Sequence, residues 1–297
     1  MKKSIVLANE EKWGYIFIAP QIVGILAFTI VPVIQSLGIS FTRWDIVSPS
    51  VFVGLINYKT VLTSPNTWRV LMHTLSFISG YSVLTIFFSL LIALVLSNNR
   101  IRGYVVYRTA FFLPNITSSV AVSLVWLGLF NPDLGLVNIL LRTIGILNPP
   151  GWYISLEWAM PTIVLMAVWM GVGYNMIIFI AGLNGISDTY YEAASIDGAG
   201  PIFCFLKITL PLLTPTIFFV ITTMLIWGFQ VFNEVYMLTN GGPVDSTKTI
   251  MLEIYNTAFR YFRMGEASVL AWLLFSIILV VTILQFSFSK KWVNYDV

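Results

Sequence analysis

Long apolar runs that contain no Asp, Glu, Lys or Arg dominate the pattern along this chain. Crossing a hydrocarbon core about 30 Å thick takes about 20 residues of helix, because each residue adds about 1.5 Å. Uncharged runs of at least that length lie at residues 13–42, 70–99, 109–132, 158–187, 208–233 and 267–289. The next longest uncharged run, 143–156, is too short to cross. The pattern therefore predicts six transmembrane helices.

Helices explain these runs better than the strands of a β-barrel, the other structure that can span a membrane. Barrel strands alternate polar and apolar residues over about ten positions, and the stretch FFSLLIALVL at 87–96 does not alternate in this way. The predicted fold class is an all-α integral membrane protein with a single transmembrane domain over 1–297. Its spans are predicted at about 13–42, 70–99, 104–132, 158–187, 208–234 and 267–289.

The composition is also that of a membrane protein. Hydrophobic residues make up 58% of the chain and charged residues 10%, whereas soluble domains have about 45–50% apolar and about 25% charged residues. The first apolar run follows Lys2 and Lys3, as in a signal peptide. It is far longer than the apolar region of about 7–15 residues in such peptides, so we interpret it as a retained span.

Basic residues are unevenly distributed between the two sets of loops. The termini and the loop between the second and third spans hold Lys2, Lys3, Lys12, Arg100, Arg102, Arg108, Lys290 and Lys291. The alternate loops spread seven basic residues over far more sequence. Because basic residues concentrate in cytoplasmic loops, this asymmetry predicts that both termini lie in the cytoplasm, together with the loop at 188–211.

Residues that could carry enzymatic chemistry are scarce. His73 is the only histidine and Cys204 the only cysteine, so histidine-based triads, His-containing metal clusters and an intramolecular disulfide are excluded. The glycines of NGGPVDSTK lack the spacing of a phosphate-binding loop. Charged residues are missing from the span centres, which disfavours proton-coupled transport but leaves sodium coupling open. We predict a non-enzymatic chain with no catalytic residues and no metal ligands.

Two loops carry patterns of their own. At 131–157, an amphipathic GLVNILLRTIG precedes NPPGWYISLEW, which predicts a short interfacial helix with Trp152, Tyr153 and Trp158 at headgroup depth. At 188–211, a helix is predicted to begin with Asp188 or Thr189 as its cap. Gly198 and Gly200 would break this helix, and a second short helix would begin at Pro201.

The loop at 188–211 has more apolar residues than a solvated connection needs. They are Tyr190, Tyr191, Ala194, Ile196, Phe203, Phe205 and Leu206. An apolar surface of this kind docks onto a partner or folds back onto its own helix bundle, and the pattern by itself leaves both options open.

Seven positions of this loop resemble a known signature. Glu192-Ala193-Ala194, then Gly198, Ile208 and Leu210-Pro211 match the EAA motif of permease subunits in binding-protein-dependent ABC importers. The resemblance extends over nearly the whole chain and is closest to the first permease of maltose- and glycerol-phosphate-type systems. It implies a type I importer permease fold in which 188–211 is a cytoplasmic coupling helix. The ATPase-coupling residues would be Tyr191, Glu192, Ala193, Ala194, Asp197 and Gly198, with Glu192 either holding the loop or contacting the ATPase.

The same resemblance implies partners and a location. It predicts a multi-pass protein of a bacterial-type inner membrane that pairs with a second permease as a heterodimer, binds an ABC ATPase dimer and receives solute from an extracytoplasmic binding protein. Membrane lipid would surround it, and no nucleic acid partner is implied. ATP and Mg would be bound by the ATPase, with no cofactor on this chain. The loop LTNGGPVDSTKT is expected to meet the soluble receptor.

The resemblance also implies a substrate pathway near the membrane midplane, on the third, fourth and fifth spans. The corresponding residues are Asn115, Ser119, Met170, Gly171, Tyr174, Trp227, Gly228 and Val231. We add Gln230, which can hydrogen-bond to hydroxyl groups, and expect Asn233 and Glu234 to line the pathway mouth or meet the receptor. Packing between helices is the competing role for such side chains.

The substrate class follows from charge. The span centres contain no Arg or Lys for a phosphate group, so a sugar is favoured over glycerol phosphate or another polar solute. A transporter that works without ATP is the more distant alternative.

Overall fold

The computed structural model describes residues 2–97 and 102–294, with side chains described from Trp13 onward. Arg100 and the end of the predicted second span, 98–99, lie outside the described residues, as do the side chains of Lys2, Lys3 and Lys12.

Helices account for most of the described chain, in agreement with the predicted fold class. In chain order they are α1 Lys2–Ile25, α2 Val31–Ser40, α3 Ile56–Thr63, α4 Pro65–Leu96, α5 Tyr104–Ile116, α6 Ser119–Leu129, α7 Leu136–Thr143, α8 Ala159–Asn184, α9 Asp188–Ile196, α10 Pro201–Cys204, α11 Leu210–Leu212, α12 Thr214–Phe229, α13 Asn233–Leu238, α14 Ile250–Tyr255 and α15 Met264–Ser289. Single π-helical turns lie at Leu26–Ile30, Phe205–Thr209 and Asn256–Arg260, and a 3-10 turn lies at Trp152–Ile154. Two short strands, β1 Thr42–Arg43 and β2 Val51–Phe52, pair antiparallel with Thr42 opposite Phe52.

Four described helices are long and apolar enough to cross a membrane by themselves: Trp13–Ser40, Pro65–Leu96, Ala159–Asn184 and Met264–Ser289. Two further pairs qualify when each pair is counted as one span. Helices α5 and α6 meet at 98°, and Pro201–Leu212 meets α12 at 63°. The predicted number of six corresponds to counting each bent pair once.

The bend between α5 and α6 differs from the single helix predicted at 104–132. Thr117 is extended, with a ψ of 142°, and Ser118 is also non-helical, with a ψ of 126°. Pro114 lacks the amide hydrogen that would continue the helix ladder, and the Thr117 hydroxyl donates to the Leu113 carbonyl at 3.0 Å. Local backbone chemistry therefore ends α5 within a run that hydropathy reads as continuous.

By its contacts the chain divides into two compact units. The first comprises the described residues up to Ser64 with Ile254–Trp272. Its small core contains Val61, Val269 and Leu270. In this unit Asn57 ties the hairpin to α3, because its side-chain amide donates to the carbonyls of Ser40 and Thr42 at 2.8 Å each.

The second unit comprises Pro65–Glu253 and the described residues from Leu273 onward. Helix α8 is its central element, since 67% of the apolar 18-residue stretch of this helix is buried. The core packs residues of α4, α8 and α12 together with Leu213, and its members are Ala93, Leu96, Met176, Phe179, Ile180, Leu213, Val220 and Met224. Gly173 lets α8 approach α5, because a Cβ there would overlap the Phe111 carbonyl.

Trp152 is part of an aromatic cluster, and its predicted headgroup depth stays a prediction. It is buried within the protein, and its indole nitrogen donates to the side-chain oxygen of Asn138. Its ring packs edge-on against Phe130 at 4.8 Å and Trp158 at 5.6 Å. Because its indole nitrogen is hydrogen-bonded and its ring packs against other aromatic rings, Trp152 anchors the segment 131–157 within the second unit.

Candidate functional site

The segment Asp188–Leu212, here called the coupling segment, is a helix, a glycine turn and a second helical stretch. Helix α9 begins one residue earlier than predicted, because Ser187 is the cap and its hydroxyl accepts from the Thr189 amide at 3.4 Å. The helix ends at Ile196, Gly198 follows with a φ of +72°, and the Ala199 amide donates to the Ala194 carbonyl at 2.9 Å. A Cβ at Gly198 would meet nothing within 4 Å. Glycine is therefore required there by backbone conformation and not by space.

The coupling segment presents apolar side chains to its surroundings. Ile196 is 88% exposed and Ile202 is 74% exposed. Of the residues predicted to couple to the ATPase, Glu192, Ala193, Asp197 and Gly198 are exposed, while Tyr191 and Ala194 are half-buried. Exposed apolar side chains of this kind mark a surface that contacts another protein or a membrane.

One internal contact braces this segment. The hydroxyl of Tyr191 lies 2.9 Å from the Thr209 hydroxyl, which joins α9 to the π-helical turn. Glu192 makes no hydrogen bond or ion pair with the described residues. The two side chains are neighbours in sequence, but one faces the chain itself and the other faces outward.

Two adjoining cavities of about 500 Å³ and about 320 Å³ lie in the second unit. All the residues predicted to form the substrate pathway line them: Asn115, Ser119, Met170, Gly171, Trp227, Gly228, Gln230 and Val231 in the first, and Asn115, Gly171, Tyr174 and Trp227 in the second. The fold brings these residues together from three separate stretches of sequence. Their role in transport stays a prediction.

The larger cavity lies where helices are interrupted. The break between α5 and α6 places Asn115, Thr117 and Ser119 on its wall, and the break between α12 and α13 places Gln230 and Val231 there. Non-helical backbone at membrane depth is tolerated where it lines a cavity. These breaks therefore supply polar groups to a region whose helices are otherwise apolar.

Tyr81 lines both cavities and was missed by sequence reasoning. Its ring stacks on Phe77 at 5.5 Å, and a Cβ on Gly171 would come within 2.7 Å of its hydroxyl. Gly171 was identified only through the resemblance, and the structure shows that it makes room for Tyr81. No local pattern around Tyr81 indicates this pairing, because it depends on how α4 and α8 pack.

The cavity walls are aromatic and amide-bearing and carry one charge. Trp227 is 76% exposed and Tyr174 is 44% exposed, so both rings are open to occupants. The side-chain amide of Gln230 donates to the Ile226 carbonyl at 3.0 Å, which leaves its oxygen free to accept. Among the described residues that line the two cavities, Glu234 is the only charged one.

The loop after α13 is held by an internal ion pair. We call Thr239–Glu253 the clamp segment. Lys248 lies 2.7 Å from Glu253, both side chains are nearly buried, and Asn66 donates to the same carboxylate at 2.9 Å. His73 contacts the Lys248 carbonyl at 3.2 Å, and the Ile250 amide donates to the Thr74 hydroxyl at 3.0 Å.

The clamp segment overlaps the loop LTNGGPVDSTKT that was expected to meet a receptor. Thr247, Lys248 and Thr249 are buried, whereas Val244 is 88% exposed. Val244 also has a φ of +49°, which is uncommon for a β-branched residue and persists only where the surroundings determine it. Only the tip of this loop is therefore available to a partner.

Residues 85–294 match the family described as the binding-protein-dependent transport system inner membrane component. The match covers more than half of the chain. The chain belongs to this family. It is thus a membrane-spanning permease component, as the EAA motif suggested.

Relatives of this permease support the same assignment along its length. YesP of Bacillus subtilis (strain 168), described as a probable ABC transporter permease protein, is 40% identical over 100% of this chain and 96% of its own. The lactose transport system permease protein LacF of Rhizobium radiobacter is 36% identical over 92% of this chain and 91% of its own. The sn-glycerol-3-phosphate transport system permease protein UgpA of Brucella abortus biovar 1 (strain 9-941) is 34% identical over 95% and 96%.

The fold of the permease matches a solved transporter. A chain in the crystal structure of a bacterial alginate ABC transporter, in complex with alginate pentasaccharide-bound periplasmic protein, superimposes with a TM-score of 0.84. The match covers 95% of this chain and 96% of that one at 23% identity. The predicted importer permease fold is therefore confirmed.

Proposed function

We propose that this permease is a subunit of an ATP-driven sugar importer. It lines half of the substrate pathway through the membrane and couples to a separate ATPase through the coupling segment. The relatives support this proposal, because they include permease proteins of lactose and sn-glycerol-3-phosphate transport systems.

The chemistry of the cavity walls carries the choice of substrate class. Trp227 and Tyr174 offer aromatic faces for sugar rings, and Asn115, Ser119 and Gln230 offer hydrogen-bonding groups for hydroxyls. A phosphate or carboxylate substrate is bound in proteins by Arg or Lys. The described residues of both cavities include neither, and Glu234 adds a negative charge. A neutral sugar fits this wall better than glycerol phosphate.

The coupling segment supports the link to an ATPase. Its exposed apolar residues gain stability when a partner covers them, and Glu192 has no partner among the described residues. We infer that Glu192 contacts the ATPase, while Tyr191 holds the loop through Thr209. Gly198 provides the turn between the two helical parts.

The transport cycle would be powered by partner subunits. A solute-binding protein delivers the sugar, and two ATPases that carry ATP and Mg draw together. The coupling segments of this permease and a second permease pass that movement to the cavity, which changes its accessible side. This arrangement places the chain in the inner membrane with both termini in the cytoplasm, and the chain itself performs no catalysis and binds no cofactor.

Uptake by the complete transporter tests the proposal. The tagged chain is purified in mild detergent with its associated subunits, identified by mass spectrometry, and reconstituted with the solute-binding protein. Neutral oligosaccharides and sn-glycerol 3-phosphate are then compared as substrates with and without ATP. We expect ATP-dependent uptake of a neutral sugar that Trp227→Ala strongly reduces and Trp13→Ala, a change at an exposed tryptophan outside the cavity, leaves intact.

Other outcomes would point elsewhere. Preferential uptake of sn-glycerol 3-phosphate would contradict the substrate class while keeping the importer assignment. Uptake that proceeds equally in the absence of ATP, by a chain recovered without an ATPase, would contradict the whole proposal.

A further inference from the structure

An apolar groove is lined by the beginning of α12, the end of α15 and Trp292, and it shares no lining residue with the two cavities described above. Its volume is about 260 Å³. The lining residues are Phe218, Ile221, Val281, Leu284, Gln285, Phe288 and Trp292. Because α12 begins directly after the coupling segment, this groove lies at the same end of α12 as that segment.

The chain after α15 closes one end of the groove. The helix ends at Ser289, and the Val293 amide donates back to the Ser289 carbonyl at 2.9 Å. Asn294 then reaches the start of α12, with its backbone amide donating to the Thr214 hydroxyl at 3.0 Å. This turn sets Trp292 near Phe218, with ring centroids 6.2 Å apart. The result is a groove with an aromatic end at the limit of the apolar helix.

One basic residue stands beside this end of the groove, and a second lies on the neighbouring face of α15. The ammonium group of Lys291 lies 5.6 Å above the ring of Phe288, which is itself part of the groove wall. Lys290 lines a second cavity of about 290 Å³ on the neighbouring face of α15, with Thr282, Ile283 and Phe286. Each apolar surface along the last turns of α15 therefore ends at a lysine. Apolar walls that end in lysine and tryptophan are typical of the boundary between hydrocarbon and headgroups.

The groove also leaves one polar group unmatched. Gln285 is the only polar side chain among its described lining residues, and its side-chain oxygen is buried without a hydrogen-bond partner in the described part of the chain. A buried amide of this kind has capacity for a polar group that the described residues do not supply.

We propose that this groove binds an anionic phospholipid, with an acyl chain along Leu284 and Phe288 and the headgroup phosphate paired with Lys291 and Lys290. Charge complementarity favours an anionic lipid over an uncharged apolar occupant of the groove, because lysines beside a membrane attract anionic headgroups. The site is independent of the transported substrate. It would place an anionic lipid next to Pro211, whose carbonyl accepts from the Asn294 side chain at 3.3 Å, and so next to the coupling segment.

Lipid retention by the assembled transporter tests the site. The complex is purified in mild detergent from membranes that contain phosphatidylglycerol, cardiolipin and phosphatidylethanolamine, and bound lipid is quantified by mass spectrometry. In a variant with Lys290→Ala and Lys291→Ala, we expect about a tenfold loss of anionic lipid relative to phosphatidylethanolamine. Leu284→Trp, which fills the groove, should cause a similar loss.

Two matched variants serve as controls. Leu279→Trp enlarges an exposed residue on the same helix outside both cavities, and Arg102→Ala removes an exposed basic residue elsewhere. Both should retain anionic lipid as the unaltered protein does. If the lysine variant and Leu284→Trp both retain as much anionic lipid as the unaltered protein, the proposal is overturned.

Crosslinking identifies the occupant directly. A photoreactive p-benzoylphenylalanine at position 284 should yield a lipid adduct in native membranes. An adduct with a second permease chain would show that protein covers the groove, and the lipid site would then be rejected.

Discussion

The two segments on either side of α12 differ in how far their side chains are buried and paired within the chain. The clamp segment buries an ion pair between Lys248 and Glu253 and completes it with Asn66. In the coupling segment, every described residue from Asp188 to Cys204 is exposed or half-buried. A contact between the hydroxyls of Tyr191 and Thr209 holds this segment. Both segments contain a glycine with positive φ, Gly198 in the coupling segment and Gly241 in the clamp segment.

This difference supports the proposal that the coupling segment, and not the clamp segment, docks onto another subunit. A buried charge must be compensated within the chain, because an uncompensated one costs several kcal/mol. Exposed apolar side chains are instead stabilised when another protein covers them, and Glu192, which has no partner among the described residues, can pair with a basic group of that protein. The clamp segment therefore compensates its buried charges within the chain, whereas the coupling segment leaves exposed the surface that the proposed ATPase contact would cover.

Breaking the ion pair between Lys248 and Glu253 in the clamp segment should have the largest effect, and it should act on stability. Glu253→Ala removes the nearer carboxylate from the nearly buried ammonium of Lys248 and leaves it the exposed Asp245 at 4.0 Å, which costs about 3 kcal/mol of unfolding free energy. The measurement is thermal unfolding in detergent followed by tryptophan fluorescence. Replacing both partners, with Lys248→Met and Glu253→Leu, should recover most of the stability. If the single variant unfolds at the same temperature as the parent, the ion pair between Lys248 and Glu253 does not stabilise the protein.

Gly198→Leu should have the next largest effect, and it should act on transport. Leucine at a φ of +72° costs about 1–2 kcal/mol, so the turn between α9 and α10 would change conformation. We expect loss of ATP-dependent uptake with normal amounts of protein in the membrane. Gly200→Leu is the control, because Gly200 has an ordinary φ of −78° and open space around it. Equal uptake by both variants would contradict a conformational requirement at Gly198.

Glu192→Ala should separate assembly from folding. The side chain has no partner among the described residues, so we expect an unchanged unfolding temperature. We expect weaker recovery of the ATPase on purification and reduced uptake, since a charged contact at an interface is lost. Reduced thermal stability with full ATPase recovery would show that Glu192 holds the loop instead.

Tyr191→Phe should have the smallest effect. It removes one hydrogen bond to Thr209, which contributes about 0.5–1.5 kcal/mol. Hydrogen exchange of the α9 amides should rise while the clamp segment is unaffected. A double-mutant cycle with Thr209→Val isolates the contact, and additive effects would argue that the two hydroxyls do not interact.

Much of this architecture could be predicted from local sequence. Uncharged apolar runs indicate membrane helices at any position, and hydropathy correctly indicated Pro65–Leu96, Ala159–Asn184 and Met264–Ser289. The helix, glycine turn and Pro201 helix of the coupling segment were also predictable, because capping and positive φ depend on a few adjacent residues. The predicted cap was one residue late, since Ser187 could not be distinguished from its polar neighbours.

Tertiary structure alone decided the rest. Hydropathy does not register the break at Thr117 and Ser118, because both sides of it are apolar. The space that Gly171 leaves for Tyr81, the burial of Trp152, and the pairing of Asn66 with Glu253 all join residues that only packing brings together. The sequence by itself determined which stretches enter the membrane and which loop turns at a glycine. Packing determined which polar groups face a cavity, because that depends on how separate helices cross and not on the residues beside each one.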